Sequence, residues 1–218
     1  TLFIKKSLAT RLAIYLYKFS QKSASIVLFQ NKSDRDLFIS KDIINIDKTQ
    51  IINGSGVNTA KFVNTNSLRD SRPFIFLFVG RLLKDKGVFE FIEAARLIKS
   101  LYPEVQFNIL GPFYASNQTA ITLDEINHWN NDEKIINYLG ETDDVKSELA
   151  KADCLVLPSY REGLSKVLIE ASSMSLPIIS SNVPGCKDVV LDGVTGFLCR
   201  PRDSKDLARK MAKMLNLE

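Results

Sequence analysis

The stretch PFIFLFVGRLLKDKG (Pro73–Gly87) decides the fold. Its first half is a continuous apolar run closed by Gly80, with no polar residue in alternate positions. A strand with one wet face would alternate; a strand buried on both faces reads like this one. After it, Phe91, Ile92, Ala95, Ile98 and Tyr102 recur at helical spacing, which predicts a helix packed on that strand. A buried strand followed directly by an amphipathic helix is the opening of a parallel β-α unit.

The same alternation continues to the end of the chain. The predicted strands are VQFNILG (Val105–Gly111), IINYLG (Ile135–Gly140), CLVLP (Cys154–Pro158) and PIISS (Pro177–Ser181). Helical segments are expected near Thr122–Asn130, Val145–Ala150, Ser165–Ser175 and Ser204–Leu215, the last capped by Asp203. A short helical turn is expected near Cys186–Leu191. The fold class that follows is α/β, a Rossmann-like parallel sheet with helices on both faces.

The earlier residues read as a separate piece. Leu8, Leu12, Tyr15, Leu16 and Phe19 predict a helix over Ser7–Lys22, SIVLF (Ser25–Phe29) and TQII (Thr49–Ile52) read as short strands, and Ser33 is a candidate cap for a helix reaching Ser40. NGSGVN (Asn53–Asn58) reads as a hinge, and Asn64–Arg72 as a polar linker. The expected organisation is a remnant domain with linker over residues 1–65, a ligand-binding domain over 66–216, and a vector scar at 217–218. Both ends read as those of an excised piece.

Composition narrows the function classes. Apolar residues make up 45% and charged residues 25% of 218, which is globular and argues against disorder. No apolar run is long enough for a membrane span, and no signal-peptide layout opens the chain. Three cysteines, Cys154, Cys186 and Cys199, are an odd number without metal-ligand spacing, which suits a reducing, cytoplasmic setting. The net charge of +4 is weighted to the start, where Lys5, Lys6, Arg11, Lys18, Lys22 and Lys32 precede Asp34. Such a segment suits phosphates or a membrane surface, and equally a solvated helix face.

In parallel sheets ligands bind beyond the carboxyl ends of the strands, so chemistry is sought in those loops. GRLLKDKG (Gly80–Gly87) places Arg81, Lys84 and Lys86 ahead of a helix start, an anion site if they converge and ordinary loop cations if they do not. It is not a Walker A loop, and no GxGxxG occurs anywhere, which weakens a dinucleotide reading. PSYREGLSKVLIE (Pro158–Glu170) puts Glu162 before a helix N-terminus whose amides, from Gly163, Leu164 and Ser165, carry partial positive charge. Glu170 falls beside that helix's apolar stripe, at the margin of the sheet. Taken singly, both glutamates also read as ordinary surface charges. Pro184-Gly185 fixes a further turn. His128, the one histidine, and Trp129 read as surface and packing residues, and Cys186 as a small buried one.

Together the motifs GRLLKDKG, EVQFNILG, YLG, ADCLVLPSYREGLSKVLIEA and PIISSNVPGCKDVVLDGVTGFL resemble, in order and spacing, the C-terminal half of retaining glycosyltransferases of family 4, with GT-B architecture. The flavour of NGSGVN and VPGCKD is similar to bacterial enzymes that build capsule, O-antigen or lipid-linked oligosaccharides. The resemblance implies a nucleotide diphosphate sugar as donor, a UDP-sugar first, and a saccharide or polyprenyl-linked acceptor. It implies no bound metal, no cofactor and no nucleic acid. By the same resemblance Arg81 and Lys86 hold the diphosphate and Glu162 meets the transferred sugar. Gly163, Leu164 and Ser165 offer amides to the phosphates or sugar, Glu170 binds the ribose, and the base lies near Leu139. Asp188 stands where the family often has Glu and receives no role. Most of the N-terminal acceptor domain is not in this sequence, so donor binding without efficient transfer is expected, at the inner face of the plasma membrane if the basic opening helix touches it. The alternatives are a non-hydrolysing nucleotide-sugar epimerase, for which no acid/base pair is found, and a non-catalytic nucleotide-binding module.

Overall fold

The computed structural model describes residues 8–52, 54, 56–64, 72–114 and 117–217. Lys5, Lys6 and Ser7, hinge residues Asn53 and Ser55, linker positions 65–71, and Glu218 of the expected scar lie outside the described residues. The chain forms two compact units, Thr1–Ser55 and Gly56–Glu218. The boundary falls earlier than the sequence reading places it. Phe62 is buried with the core of the second unit, and its carbonyl accepts a 2.7 Å hydrogen bond from Ser173 Oγ.

The first unit holds helix α1 (Leu8–Gln21), strand β1 (Val27–Phe29), helix α2 (Lys32–Ser40) and strand β2 (Thr49–Ile51), with β1 and β2 parallel. Tyr17 and Phe29 both meet Phe38 edge to face. The cap of α2 is Asn31 and not Ser33: Asn31 Oδ1 accepts from the Asp34 N–H at 2.7 Å while its Nδ2 donates to the Asp34 carboxylate at 2.9 Å. That reciprocal pair satisfies an orphan amide and fixes the helix start earlier. Leu8, Leu12, Tyr15, Leu16 and Phe19 of α1 are exposed.

The second unit is built on strands β3 (Ile75–Val79), β4 (Gln106–Leu110), β5 (Asn137–Tyr138), β6 (Cys154–Leu157), β7 (Ile178–Ser181) and β8 (Gly196–Cys199). They form one parallel sheet in the order β5-β4-β3-β6-β7-β8. Its helices are α3 (Val88–Lys99), α4 (Leu123–Asn127), α5 (Val145–Lys151), α6 (Lys166–Ser173) and α7 (Ser204–Leu215), and α3 packs on α7. The central strands are apolar because both of their faces are covered. Phe76, Leu77 and Phe78 of β3 and all of β6 are buried, and Phe76, Phe78, Phe91 and Phe107 pack ring to ring.

One expectation changes. β5 is shorter than Ile135–Gly140 because it is an edge strand paired only with β4. The short helical turn expected near Cys186–Leu191 is there: residues 184–189 are turns, with the Lys187 N–H bonded to the Val183 carbonyl and the Val190 N–H to the Cys186 carbonyl.

The strand order has a functional consequence. From β3 the chain runs outward through β4 to β5, then crosses to the other side of β3 to make β6. The loops after β3 and β6 therefore start side by side at the switch point, where sheets of this kind place their ligands.

Candidate functional site

Backbone contacts fix the two switch-point loops against each other. After β3 the chain makes a short 3-10 turn, Lys84–Lys86, and enters α3 through Gly87 at φ 79. A Cβ on Gly87 would lie 2.2 Å from the carbonyl oxygen of Pro158, so only glycine lets the loops approach this closely. The Tyr160 N–H then donates to the Asp85 carbonyl at 2.9 Å. The third loop, after β7, closes in the same way. Gly185 has φ 79, and a Cβ there would lie 2.5 Å from the Glu162 carbonyl oxygen. Asp188, without an expected role, accepts from the Gly185 N–H at 2.9 Å and holds that turn.

This packing brings Lys86 to Glu162. Lys86 Nζ donates to Glu162 Oε1 at 2.6 Å, and the two side chains are 20% and 11% exposed. The pair joins one strand-end loop to the other. Beneath it lies Cys186, whose thiol is buried and pushed up to about 12, by desolvation first and also by the nearby Glu162 carboxylate. It stays a neutral thiol, an apolar wall and not a nucleophile.

Gly163 and Leu164 form a bend, and Ser165 is the N-cap of α6, buried and with no side-chain cap bond. The first turn of α6 holds no acidic side chain, so its positive end is not neutralised from within. Glu170, one turn further on, is 6% exposed. Its ion partner among the described residues is Lys166, at 3.5 Å. The sequence placed Glu170 at the margin of the sheet, and its burial agrees with that placement.

Arg81 sits apart from the pair. Its guanidinium lies 5.4 Å from the Tyr114 ring centroid, and it lines a cleft of about 420 Å³ with Gly80, Pro112, Glu141, Thr142 and Asp143. Lys84 turns to the Phe89 ring. Leu139 follows β5 and is 39% exposed; its N–H is spent on the Ile109 carbonyl at 2.9 Å. Any backbone contact to a ligand at that residue is left to its carbonyl.

Sequence reading passed over Tyr160, whose hydroxyl donates to Glu90 at 2.7 Å. Its place inside the loop of Glu162 was the available signal. His128 is exposed and bonded to Asp132 and Glu133, and its pKa is raised first by the Asp132 bond; Trp129 is buried. Among the described residues no group of three His, Cys, Asp or Glu is placed to hold a metal, and no helix is long and apolar enough to cross a membrane.

Residues 61–218 match the family model described as Glycosyl transferases group 1. The chain is 27% identical over 212 residues to a capsular polysaccharide biosynthesis glycosyltransferase, CapM, of Staphylococcus aureus, covering 92% of this chain and 55% of that protein. It is 28% identical over 215 residues to the N,N'-diacetylbacillosaminyl-diphospho-undecaprenol alpha-1,3-N-acetylgalactosaminyltransferase of Campylobacter jejuni, covering 93% and 54%. The chain thus spans about half the length of the curated relatives it matches. Among solved structures, Anabaena Alr3699/HepE in complex with UDP-glucose superposes with a TM-score of 0.81 at 21% identity, over 99% of this chain and 60% of that one.

Proposed function

The chain belongs to the glycosyl transferases group 1, and from that premise we propose that it is the donor-binding part of a retaining glycosyltransferase. The donor is a nucleotide diphosphate sugar, UDP-linked, and the acceptor a saccharide or lipid-linked saccharide of a bacterial surface polysaccharide. The observation that carries this reading is the Lys86–Glu162 pair, set between the two switch-point loops beside the N-terminus of α6.

The chemistry of these groups suits the task. A departing nucleoside diphosphate develops negative charge on its bridging oxygen. Lys86, Arg81 and the amides of Gly163, Leu164 and Ser165 offset that charge without a metal ion. Glu162 accepts hydrogen bonds from hydroxyls of the sugar, and Glu170, being a buried acceptor, suits the paired hydroxyls of ribose. The base lies toward the cleft between Arg81 and Glu141, near Leu139. Transfer needs the acceptor domain, and the exposed apolar stripe of α1 supports contact with it. The same helix, with Arg11 and Lys18, is where contact with the cytoplasmic face of the membrane would arise. An epimerase reading finds no support: the one histidine is engaged by Asp132 and Glu133.

Calorimetry with UDP, GDP and a panel of UDP-sugars tests the proposal. UDP should bind, and Glu170→Ala should weaken it about ten-fold through loss of a charge-assisted pair of hydrogen bonds. If neither nucleotide binds above background, the reading is lost.

A further inference from the structure

Tyr160, two residues before Glu162, is held from three sides. Its hydroxyl donates to Glu90 Oε1 at 2.7 Å. Its N–H donates to the carbonyl of Asp85, the neighbour of Lys86, at 2.9 Å. The Arg202 guanidinium carbon stands 4.5 Å from its ring centroid, within the range of a cation–π contact. These partners come from the 3-10 turn Lys84–Lys86, the first turn of α3 and the turn after β8. Burial, and then the Glu90 bond, push the phenol well above its ordinary range, so it remains a hydrogen-bond donor.

Arg202, with Asp42, Lys134 and Ser175, is one of four non-glycine residues of positive φ among the described residues. It adopts φ 59, a left-handed backbone that strains an L side chain and leaves glycine at ease. Strain of this kind is kept where the side chain does something a glycine would not. Here the Arg202 side chain covers Tyr160. The segment between Pro158 and Ser165 has no regular structure of its own. Ser159 adds no side-chain anchor, because its buried Oγ has no hydrogen-bond partner among the described residues. The Glu162 N–H reaches the Pro184 carbonyl only at 3.4 Å, a long bond.

We propose that Tyr160, Glu90 and Arg202 are a positioning set that holds the Glu162 carboxylate in place against Lys86, and thereby sets how strongly the sugar, as distinct from the nucleoside diphosphate, is recognised. None of the three touches the donor in this scheme. The inference rests on the donor-site reading above, since it takes Glu162 as the group that meets the sugar.

Two substitutions test it. Arg202→Gly removes the guanidinium and relieves the left-handed backbone. Tyr160→Phe keeps the ring beneath Arg202 and removes the hydroxyl. Calorimetric affinities for UDP, UDP-glucose, UDP-galactose and UDP-N-acetylglucosamine are measured on the 218-residue chain and both variants, with a thermal melt of each. The expected result for Arg202→Gly is a melting temperature at or above the parent's, with the UDP-sugar to UDP affinity ratio lowered about five-fold, as loss of a cation–π contact would give. Tyr160→Phe should lower the same ratio, and the double variant should fall short of the sum, as neighbours sharing one function do. A ratio equal in all proteins, or UDP and UDP-sugar affinities that fall together in proportion to lost stability, would overturn the proposal. No UDP binding by the unaltered chain would instead sink the donor-site reading, and the positioning proposal with it.

Discussion

Replacing Glu162 with Gln should make the chain bind UDP more tightly, although Glu162 lies within the site. In the free protein Lys86 Nζ is held 2.6 Å from Glu162 Oε1, and neither side chain is more than one-fifth exposed. A phosphate that recruits Lys86 has to draw it from that carboxylate. The ammonium–amide bond left in the variant is still charge-assisted, so the substitution removes only the attraction of the carboxylate's own charge, about 1 kcal/mol for a pair that solvent still reaches. The substitution therefore lowers the cost of releasing Lys86 by about 1 kcal/mol, which corresponds to about five-fold tighter UDP binding. The same weakening acts on the fold and should lower the melting temperature by about 2–4 °C for a unit of this size. Isothermal calorimetry with UDP, at low and at moderate salt, reads the first effect, and a thermal melt the second. A Lys86→Met control should bind UDP more weakly than the parent. If Glu162→Gln binds UDP no better than the parent, Lys86 is not shared between the carboxylate and the phosphate, and the competition described here is refuted.

Gly87→Ala should be costly, because φ 79 is strained for alanine and its Cβ would lie 2.2 Å from the Pro158 carbonyl oxygen. At least ~2 kcal/mol of destabilisation is expected; a variant melting within a degree of the parent would contradict the loop packing. High pH should unfold the protein through its buried thiols. Burial raises Cys186 to about 12 and Cys199 to about 11 from the ordinary 9, so the native state keeps protons that the unfolded chain releases. Their contribution to stability is intact below pH 9 and is lost as pH rises through 11 and 12, at about 1.4 kcal/mol per pH unit for each thiol. Urea midpoints measured from pH 8 to 11 should fall accordingly, and less steeply in Cys186→Ala. Asp203→Ala removes the bond its carboxylate accepts from the Asp206 N–H at 2.8 Å and should cost about 1 kcal/mol, seen as a lower melting temperature.

Sequence by itself determined the local structure of this chain. Uninterrupted apolar runs such as Ile75–Val79 and Cys154–Leu157 state that both faces of a strand are covered, because alternation is lost only when neither face meets water. Asp203 announced the start of α7, since a cap acts on amides within one turn. The angular position of Glu170 on α6 put it beside the apolar stripe, since helical period relates residues a turn apart, and the fold then buries it. Cap choice between Asn31 and Ser33 was not legible, as both residue types serve and only the paired bonds with Asp34 select one. Nor was the length of β5, which depends on having a single neighbour.

Tertiary structure alone decided the meetings. Lys86 and Glu162 are 76 positions apart, and they touch because β6 lies beside β3 while the intervening chain is folded away on β4 and β5. Glu90 and Arg202 meet Tyr160, of the Glu162 loop, from two further segments for the same reason. Period and capping are properties of neighbours along the chain. Strand order is the outcome of many weak long-range contacts acting together, and no single stretch of sequence carries it.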